Sequence, residues 1–346
     1  MATMQTKLVK LICYRRVCGS AIRSVLLPVT LLLILATSSQ SQIPEAVDTI
    51  RVDSDLVNLQ VSVLSHDPLK PPMYLQQRDF KVLDDGSPQE ITFFAAADAP
   101  FDLVLLLDLS SSTSKKLKLI RKSSKRFVEA SRPLDRIAIV TFTDNIQIVS
   151  PLTSDHKELL RAIDDIERPE GGTNFWDALR YVYEAVLRPG QSSRRSAVVV
   201  MTDGVDNALP DVGGVGSQTT FEELANLAAH SEAIIFPVFL DTEAEEVKSH
   251  RAPASAYVFA RAQLAQLAES SGTVVHRANK VSDLESVYEQ IIRDLGTVYS
   301  IGYRPVNNQR DGKWHQISVG LVDRPDLTAR TRNGYYSVSL ASGSPK

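Results

Sequence analysis

Apolar and polar side chains alternate along the chain near both of its ends. A period of two is typical of β-strands that have one buried and one exposed face. The turn Asp84-Asp85-Gly86 predicts a β-hairpin there, whose return strand begins with Ile91 and Phe93. The alternating apolar residues are Val57, Leu59, Val61 and Val63 near the N-terminus and Tyr299, Ile301, Tyr303, Ile317, Val319 and Leu321 near the C-terminus.

The middle of the chain, from Phe101 to about Leu295, has a different pattern. Short apolar runs alternate with segments in which apolar residues recur at helical spacing, such as Leu117, Ile120 and Phe127. Nearly continuous apolar runs indicate strands covered on both faces, so we expect a parallel sheet with helices on each side. The runs are Leu103–Leu107, Ile137–Phe142, Ala197–Met201, Ile234–Leu240 and Thr273–Val275.

These patterns together predict an α/β fold. Its doubly wound, mainly parallel sheet is flanked by helices and is inserted into a smaller antiparallel β-sandwich. Each terminal segment is too small to bury a core alone, so we expect the two to pair in one sandwich. The predicted boundaries are 42–98 for the N-terminal β-segment, 99–297 for the α/β domain, 298–340 for the C-terminal β-segment and 341–346 for a tail.

Residues 1–41 have the composition of a signal peptide. Five basic residues precede an apolar run from Val25 to Ala36, and a small, polar stretch follows it. The run is shorter than the ~20 residues that span a bilayer, and an uncleaved N-terminal anchor is the alternative. Either way we expect an exported protein that is periplasmic, cell-surface or secreted. The mature chain then has no membrane span unless the leader is retained.

Removal of this leader changes the charge and the cysteine content. The loss of five basic residues changes the formal net charge from -3 to -8, which gives the mature protein no general attraction for nucleic acid. Both cysteines, Cys13 and Cys18, lie in the leader. The mature chain therefore has no disulfide, no thiol nucleophile and no thiolate metal site, and packing must stabilise its fold.

The first apolar run of the α/β domain ends in oxygen-bearing side chains. Asp108 closes the run, and Ser110 and Ser112 follow at alternate positions before a helix begins. Open α/β sheets place their ligand crevice at this carboxyl edge of the strands. The pattern Asp-x-Ser-x-Ser is weak alone, because Ser and Thr also favour helix caps.

Two further loops add oxygen-bearing side chains at the same edge. Thr173 follows Gly171 and Gly172 just before a helix that begins near Trp176, and Asp203 ends another buried strand. Oxygen-only ligands that include two carboxylates suit one hard divalent cation, Mg²⁺ or Mn²⁺, with Ca²⁺ as a further option. The predicted metal-binding residues are Asp108, Ser110, Ser112, Thr173 and Asp203.

The three loops resemble the metal-ion-dependent adhesion site of the von Willebrand factor type A family, and the strand order in the middle of the chain resembles that fold. The resemblance implies that Ser110, Ser112 and Thr173 bind the cation directly, while Asp108 and Asp203 act partly through water. It also implies one open coordination position, which a carboxylate of a protein partner would fill.

The flanking segments narrow this resemblance. Their motifs are similar to those of the VWFA-related proteins described from acidobacteria, and the similarity covers most of the mature chain. It implies nothing about the identity of the partner. The motifs are Arg78–Gly86, Gln89–Ile91, Gly312–Ile317 and Arg332–Tyr336.

The sequence favours a non-enzymatic role. It contains no Gly-x-Ser-x-Gly elbow, no Gly-x-x-x-x-Gly-Lys phosphate loop and no His-Glu-x-x-His motif. We therefore predict a cation-dependent adhesion or assembly module that binds a carboxylate of a protein partner and has no catalytic residues. Two alternatives stay open: a hydrolase whose cation polarises a substrate oxygen, and a scaffold whose cation only ties loops together.

Two long segments and one basic helix are candidates for selecting the partner. Residues 205–219 and 241–257 follow strands whose carboxyl ends lie at the predicted cation edge, and Gly213, Gly214 and Gly216 predict mobility in the first segment. The basic residues of the first helix form either an ordinary solvated face or a patch that attracts an acidic partner. They are Lys115, Lys116, Lys118, Arg121, Lys122, Lys125 and Arg126.

Overall fold

Strands from the two ends of the chain pair with each other around a central α/β domain. The computed structural model describes residues 56–67, 74–113, 116–167, 171–187, 194–307 and 312–337. The predicted signal peptide lies outside these residues. Among the residues that are described, no helix is long and apolar enough to cross a membrane.

Strands and helices alternate in the middle of the chain, and strands dominate on either side of it. The strands are β1 (Val57–Ser65), β2 (Phe80–Asp84), β3 (Ser87–Gln89), β4 (Ile91–Ala95), β5 (Phe101–Asp108), β6 (Arg136–Phe142), β7 (Ile146–Thr153), β8 (Arg195–Thr202), β9 (Ile234–Leu240), β10 (His276–Ala278), β11 (Val298–Tyr303), β12 (Trp314–Leu321), β13 (Leu327–Arg330) and β14 (Gly334–Tyr336). The helices are α1 (Leu117–Ala130), α2 (His156–Asp164), α3 (Phe175–Tyr181), α4 (Phe221–His230), α5 (Glu243–Lys248), α6 (Ala254–Ser270) and α7 (Leu284–Leu295).

The central sheet has six strands in the order β10-β9-β8-β5-β6-β7. All neighbours are parallel except β7, which runs antiparallel to β6 at one edge. Along β5, Leu103, Leu105 and Leu107 pack on the side of α1 and α7, while Val104 and Leu106 pack on the side of α3 and α6. Helices therefore cover both faces of the sheet, as the continuous apolar runs predicted.

The terminal segments form two antiparallel sheets of four strands each, ordered β13-β1-β11-β4 and β14-β12-β2-β3. β1 lies between β11 and β13, which both come from the C-terminal segment. The inner faces of the two sheets share one core, in which Leu59 and Ile301 of one sheet pack with Val82 and Ile317 of the other. The predicted fold class is confirmed, whereas the exact segment boundaries stay predictions.

The hairpin predicted at Asp84-Asp85-Gly86 exists, but its return strand is β3. Asp85 and Gly86 have φ of 47° and 78°, the left-handed conformation that a tight two-residue turn requires. Ile91 and Phe93, predicted to begin the return strand, belong to β4. This strand crosses to the other sheet and pairs with β11.

Two predictions in the α/β domain were wrong in their boundaries. The last strand is β10, which begins one residue after the predicted run Thr273–Val275. Thr273 instead caps the end of α6, because its backbone N–H donates to the carbonyl of Ala268. The segment 241–257, predicted as a loop, contains α5 and the start of α6.

Arg195, the first residue of β8, joins the α/β domain to the sandwich. Its guanidinium donates hydrogen bonds to the backbone carbonyls of Ala97, Ala99 and Val298, which lie on the two chain segments that connect the domains. The guanidinium also lies over the Phe101 ring, 4.0 Å from the ring centroid. Burial is the main reason that the pKa of Arg195 falls to about 10, so the side chain stays charged at neutral pH.

Replacement of Arg195 by alanine should lower the free energy of unfolding by at least about 3 kcal/mol, because three buried or part-buried carbonyls lose a charged donor. Arg180→Ala is the matched control, since Arg180 is half-exposed and its ion pair in the described part of the chain is with Glu184, one helical turn away. That control should stay within about 0.5 kcal/mol of the parent protein. Urea denaturation measures both values; equal stability of the two variants would contradict this role of Arg195.

Candidate metal centre

The predicted metal-binding residues follow strands that lie side by side. Asp108 is the last residue of β5, and Asp203 comes directly after β8. The two strands are parallel neighbours with Leu107 opposite Met201, so both carboxylates lie at the same edge of the sheet. Thr173 precedes α3 at this edge.

Each carboxylate is fixed by hydroxyl and amide donors. The Asp108 side chain accepts hydrogen bonds from the Thr202 hydroxyl at 2.6 Å and from the Ser110 amide at 2.9 Å. The Asp203 side chain accepts one from the Thr242 hydroxyl at 2.7 Å. These donors orient both carboxylates but supply no positive charge.

The two serines connect the carboxylates. The hydroxyl oxygens of Ser110 and Ser112 are 3.2 Å apart, and Ser112 also hydrogen-bonds to Asp203. Ser110 in turn hydrogen-bonds to Asp108. Four of the five predicted residues therefore form one continuous cluster, from Asp108 through Ser110 and Ser112 to Asp203.

Burial of two acidic groups side by side makes this cluster electrostatically unfavourable. Asp108 is fully buried, and this burial, together with the negative charge of Asp203, raises the pKa of Asp108 to about 7. Burial also raises the pKa of Asp203, and the charge of Glu246 adds to the effect. A cation between the carboxylates would remove this penalty, because an opposite charge favours the ionised form.

A solvent-accessible cavity of about 380 Å³ opens above the cluster. Ser112, Thr173 and Asp203 line it, whereas Asp108 and Ser110 lie beneath the surface with at most 1% exposure. The structure thus brings Thr173 to the same cavity as the serine and aspartate cluster. The donors are all oxygen atoms and include two carboxylates, which fits a hard divalent cation.

Two threonines that hold the site were not predicted from the sequence. Thr202 and Thr242 hold the two aspartates, and Glu246, Arg251 and Tyr257 line the cavity wall. The threonines could have been found from their positions, because Thr202 ends the buried strand β8 and Thr242 comes shortly after β9. Glu246, Arg251 and Tyr257 lie in segment 241–257, which was predicted to flank the cation edge, whereas the ion pair between Glu246 and Arg251 was not predicted.

Both long segments predicted to flank the cation edge contribute to the cavity. Residues 205–219 supply Val205, Val212 and Gly213, and residues 241–257 supply Glu246 and Arg251 among others. The basic face of α1 is largely engaged elsewhere. Its described ion pairs are Lys116 with Glu245, Lys122 and Arg126 with Glu285, Arg126 with Glu129, and Lys125 with Asp164.

Segment 205–219 is anchored in spite of its glycines. The fully buried Asp206 accepts hydrogen bonds from the amides of Trp176, Ala208 and Ser217, at 2.8 to 3.0 Å, and from the Ser217 hydroxyl at 2.6 Å. One carboxylate thereby ties both ends of the segment to the start of α3. The cavity wall that this segment forms is held in place by Asp206.

The family comparison agrees with the site geometry. Residues 102–290, more than half of the chain, match the model of the von Willebrand factor type A domain. The chain therefore belongs to this family. The narrower resemblance to the VWFA-related proteins of acidobacteria stays a prediction.

Individual relatives share only part of their length with this chain. The collagen alpha-1(VI) chain of Gallus gallus is 24% identical over 161 residues, which are 40% of this chain and 16% of the relative. The uncharacterized protein YfbK of Escherichia coli (strain K12) is 34% identical over 107 residues, 30% of this chain and 18% of the relative. Among solved structures, the proximal thread matrix protein 1 from the mussel byssus is similar with a TM-score of 0.43 and 17% identity, over 61% of this chain and 50% of that protein.

The anchoring of segment 205–219 by Asp206 is testable by hydrogen exchange. In Asp206→Asn one acceptor oxygen becomes an NH₂ group. Either the backbone amides of Ala208 and Ser217, which donate to Oδ1, or that of Trp176, which donates to Oδ2, should then exchange at least about tenfold faster, since a hydrogen bond of about 1.5 kcal/mol or more is lost. Asp211→Asn is the matched control, because Asp211 is exposed in the same segment. Equal exchange in both variants would show that Asp206 does not hold the segment.

Proposed function

We propose that this protein is an exported binding module that holds one divalent cation in the cavity and uses it to grip an acidic group of a protein partner. The observation that carries the proposal is the buried pair Asp108 and Asp203, linked through serine hydroxyls beneath an open cavity. Export rests on the predicted signal peptide. Cation-mediated binding of this kind would serve adhesion or assembly.

The chain's own residues have distinct tasks in this proposal. Ser110, Ser112 and Thr173 would contact the cation, and Asp108 and Asp203 would balance its charge and orient the serines. The bound cation supplies a Lewis-acidic coordination position that accepts a carboxylate oxygen. Mg²⁺ or Mn²⁺ suits these oxygen donors, and Ca²⁺ remains an option that titration distinguishes.

A non-enzymatic role is part of the proposal. His250 is the histidine among the described residues that line the cavity, and a histidine is a common general base. In the described part of the chain its ring has no hydrogen bond to a carboxylate or carbonyl, and such a partner usually orients a catalytic histidine. A cation that only tied loops together would not need an accessible cavity beside it, so the scaffold alternative is less well supported.

Metal titration is the direct test of the site. Thr173→Ala and Asp203→Ala should each weaken Mn²⁺ and Mg²⁺ affinity at least about tenfold, or 1.4 kcal/mol, because an oxygen ligand or a balancing charge is lost. Asp241→Ala is the control, since Asp241 follows the neighbouring strand β9 but is exposed. Isothermal calorimetry measures the affinities. Unchanged affinity in both site variants would refute the assignment.

Arg251 is placed to select the partner. Its Nε and Nη2 donate to both carboxylate oxygens of the buried Glu246, at 2.6 and 2.5 Å, and both residues line the cavity. The Nη1 group makes no hydrogen bond to the described residues, and the side chain is 44% exposed. We propose that Glu246 holds the guanidinium in a fixed orientation, and that its free donors bind a second acidic group of the partner.

Dicarboxylates test this role of Arg251 without knowledge of the partner. The Mn²⁺-loaded protein should bind glutarate more tightly than acetate, and Arg251→Gln should remove most of that difference, about tenfold, at unchanged Mn²⁺ affinity. The double variant Glu246→Gln/Arg251→Gln should behave the same way without leaving a buried unpaired carboxylate. Equal glutarate affinity in parent and double variant would overturn the role of Arg251.

A further inference from the structure

We propose a second divalent-cation site, formed by Asp84, Asp85 and His315 in the β-sandwich and independent of the cavity described above. One ligand atom from each of these residues lies within 4.8 Å of the others. His315 Nδ1 is 3.0 Å from an Asp85 carboxylate oxygen and 3.6 Å from an Asp84 carboxylate oxygen. In a tetrahedral zinc site with ligand bonds of 2.0–2.1 Å, neighbouring ligands are about 3.3 Å apart, so these separations need little adjustment.

The histidine is aimed into this cluster. His315 is only 6% exposed, and its ring stacks on the Tyr335 ring at a centroid distance of 5.2 Å. Its Nε2 is buried without a hydrogen-bond partner in the described part of the chain. Nδ1 is therefore the ring nitrogen that has neighbours, and those neighbours are the two carboxylates.

In the part of the chain that the structure describes, the residues around the cluster hydrogen-bond to one oxygen of each carboxylate, and the other oxygen faces His315. The hydroxyls of Tyr303 and Tyr335 donate to Asp84 Oδ2 at 2.8 and 3.0 Å, and the atom that faces His315 is Oδ1. The Gln316 amide donates to Asp85 Oδ1 at 2.8 Å, and the atom that faces His315 is Oδ2. Metal-binding carboxylates in proteins are held by such outer hydrogen bonds.

The donor set indicates the kind of cation. Two carboxylates balance a divalent charge, and an imidazole nitrogen favours zinc over magnesium or calcium, which prefer oxygen alone. A neutral imidazole would bind the cation through Nδ1 with its proton on Nε2. The side chain of Asp85 is 53% exposed, which leaves a route for the ion and for a water ligand.

The proposed ligands come from opposite ends of the chain. Asp84 and Asp85 lie at the end of β2, His315 lies in β12, and the two strands pair in one sheet of the sandwich. A cation here would cross-link the N-terminal and C-terminal segments. Its effect is therefore on the stability of the sandwich and not on recognition at the distant edge of the α/β sheet.

Cobalt substitution distinguishes this site from the oxygen-only site. Co²⁺ added to the metal-free mature protein should give the intense visible absorption of a four-coordinate ion, and Zn²⁺ should displace it. Asp85→Asn and His315→Gln should abolish this absorption, whereas Asp108→Ala should retain it. Tyr335→Phe keeps the aromatic ring but removes a donor to Asp84, so its Co²⁺ affinity should fall about 10–100-fold.

The control and the fold are checked in the same experiment. His66→Ala removes an exposed histidine of the same sandwich and should leave the absorption intact. The Asp85→Asn variant should still fold, because asparagine tolerates the left-handed backbone conformation at this position. Absence of a four-coordinate Co²⁺ spectrum, or its persistence in folded Asp85→Asn and His315→Gln, would overturn the second site. Loss of the spectrum in Asp108→Ala alone would assign the ion to the first site instead.

Discussion

The organisation of the α/β domain depends on one electrostatic constraint, the burial of Asp108 and Asp203 side by side at the end of two parallel strands. Parallel strands all end at the same edge of a sheet, so an acidic residue at the tip of each of two neighbours brings the two charges together. Burial keeps water from screening them, and the pKa of Asp108 rises to about 7 as a result. Hydrogen bonds from the nearby hydroxyls and amides lower the pKa of Asp108, but it remains above the usual value of an aspartate.

The surrounding loops are arranged to maintain that unfavourable pair. Thr202 and Thr242 each commit a hydroxyl to one of the carboxylates, and Asp206 ties the intervening segment to α3. Buried charges are costly to stability, so hydrogen bonds that fix them in place are expected where the charges serve binding and not folding. The sandwich depends on the α/β domain in a different way, because β1 has its partners β11 and β13 in the C-terminal segment. Folding of the inserted domain brings those segments together.

Local sequence patterns revealed most of the fold but not its long-range pairing. Four of the five apolar runs located core strands, because burial on both faces leaves a continuous apolar signature, and the fifth ended one residue before β10. Ile91 and Phe93 were assigned to the wrong partner, since alternation shows that a strand has a buried face but not which sheet it joins. Asp108, Ser110, Ser112 and Asp203 could be predicted from their positions at strand ends, and Thr173 from its position before a helix. The segment that contains Glu246 and Arg251 was also predicted to flank the cation, but their ion pair was not, because only the folding of α5 buries the glutamate beside the arginine.

Charge balance around the cavity gives the reason to expect a cation and an acidic partner together. Asp108, Asp203 and Glu246 are all buried, and in the described part of the chain Arg251 forms an ion pair with only the last of them. A divalent cation would balance the negative charges of the two aspartates and leave the cavity close to neutral. Its open coordination position and the free donors of Arg251 would then both favour an incoming anion. Without the cation, an acidic partner of the kind proposed would find no positive charge at the two aspartates. Recognition would then depend on the metal for an electrostatic reason as well as a coordinative one.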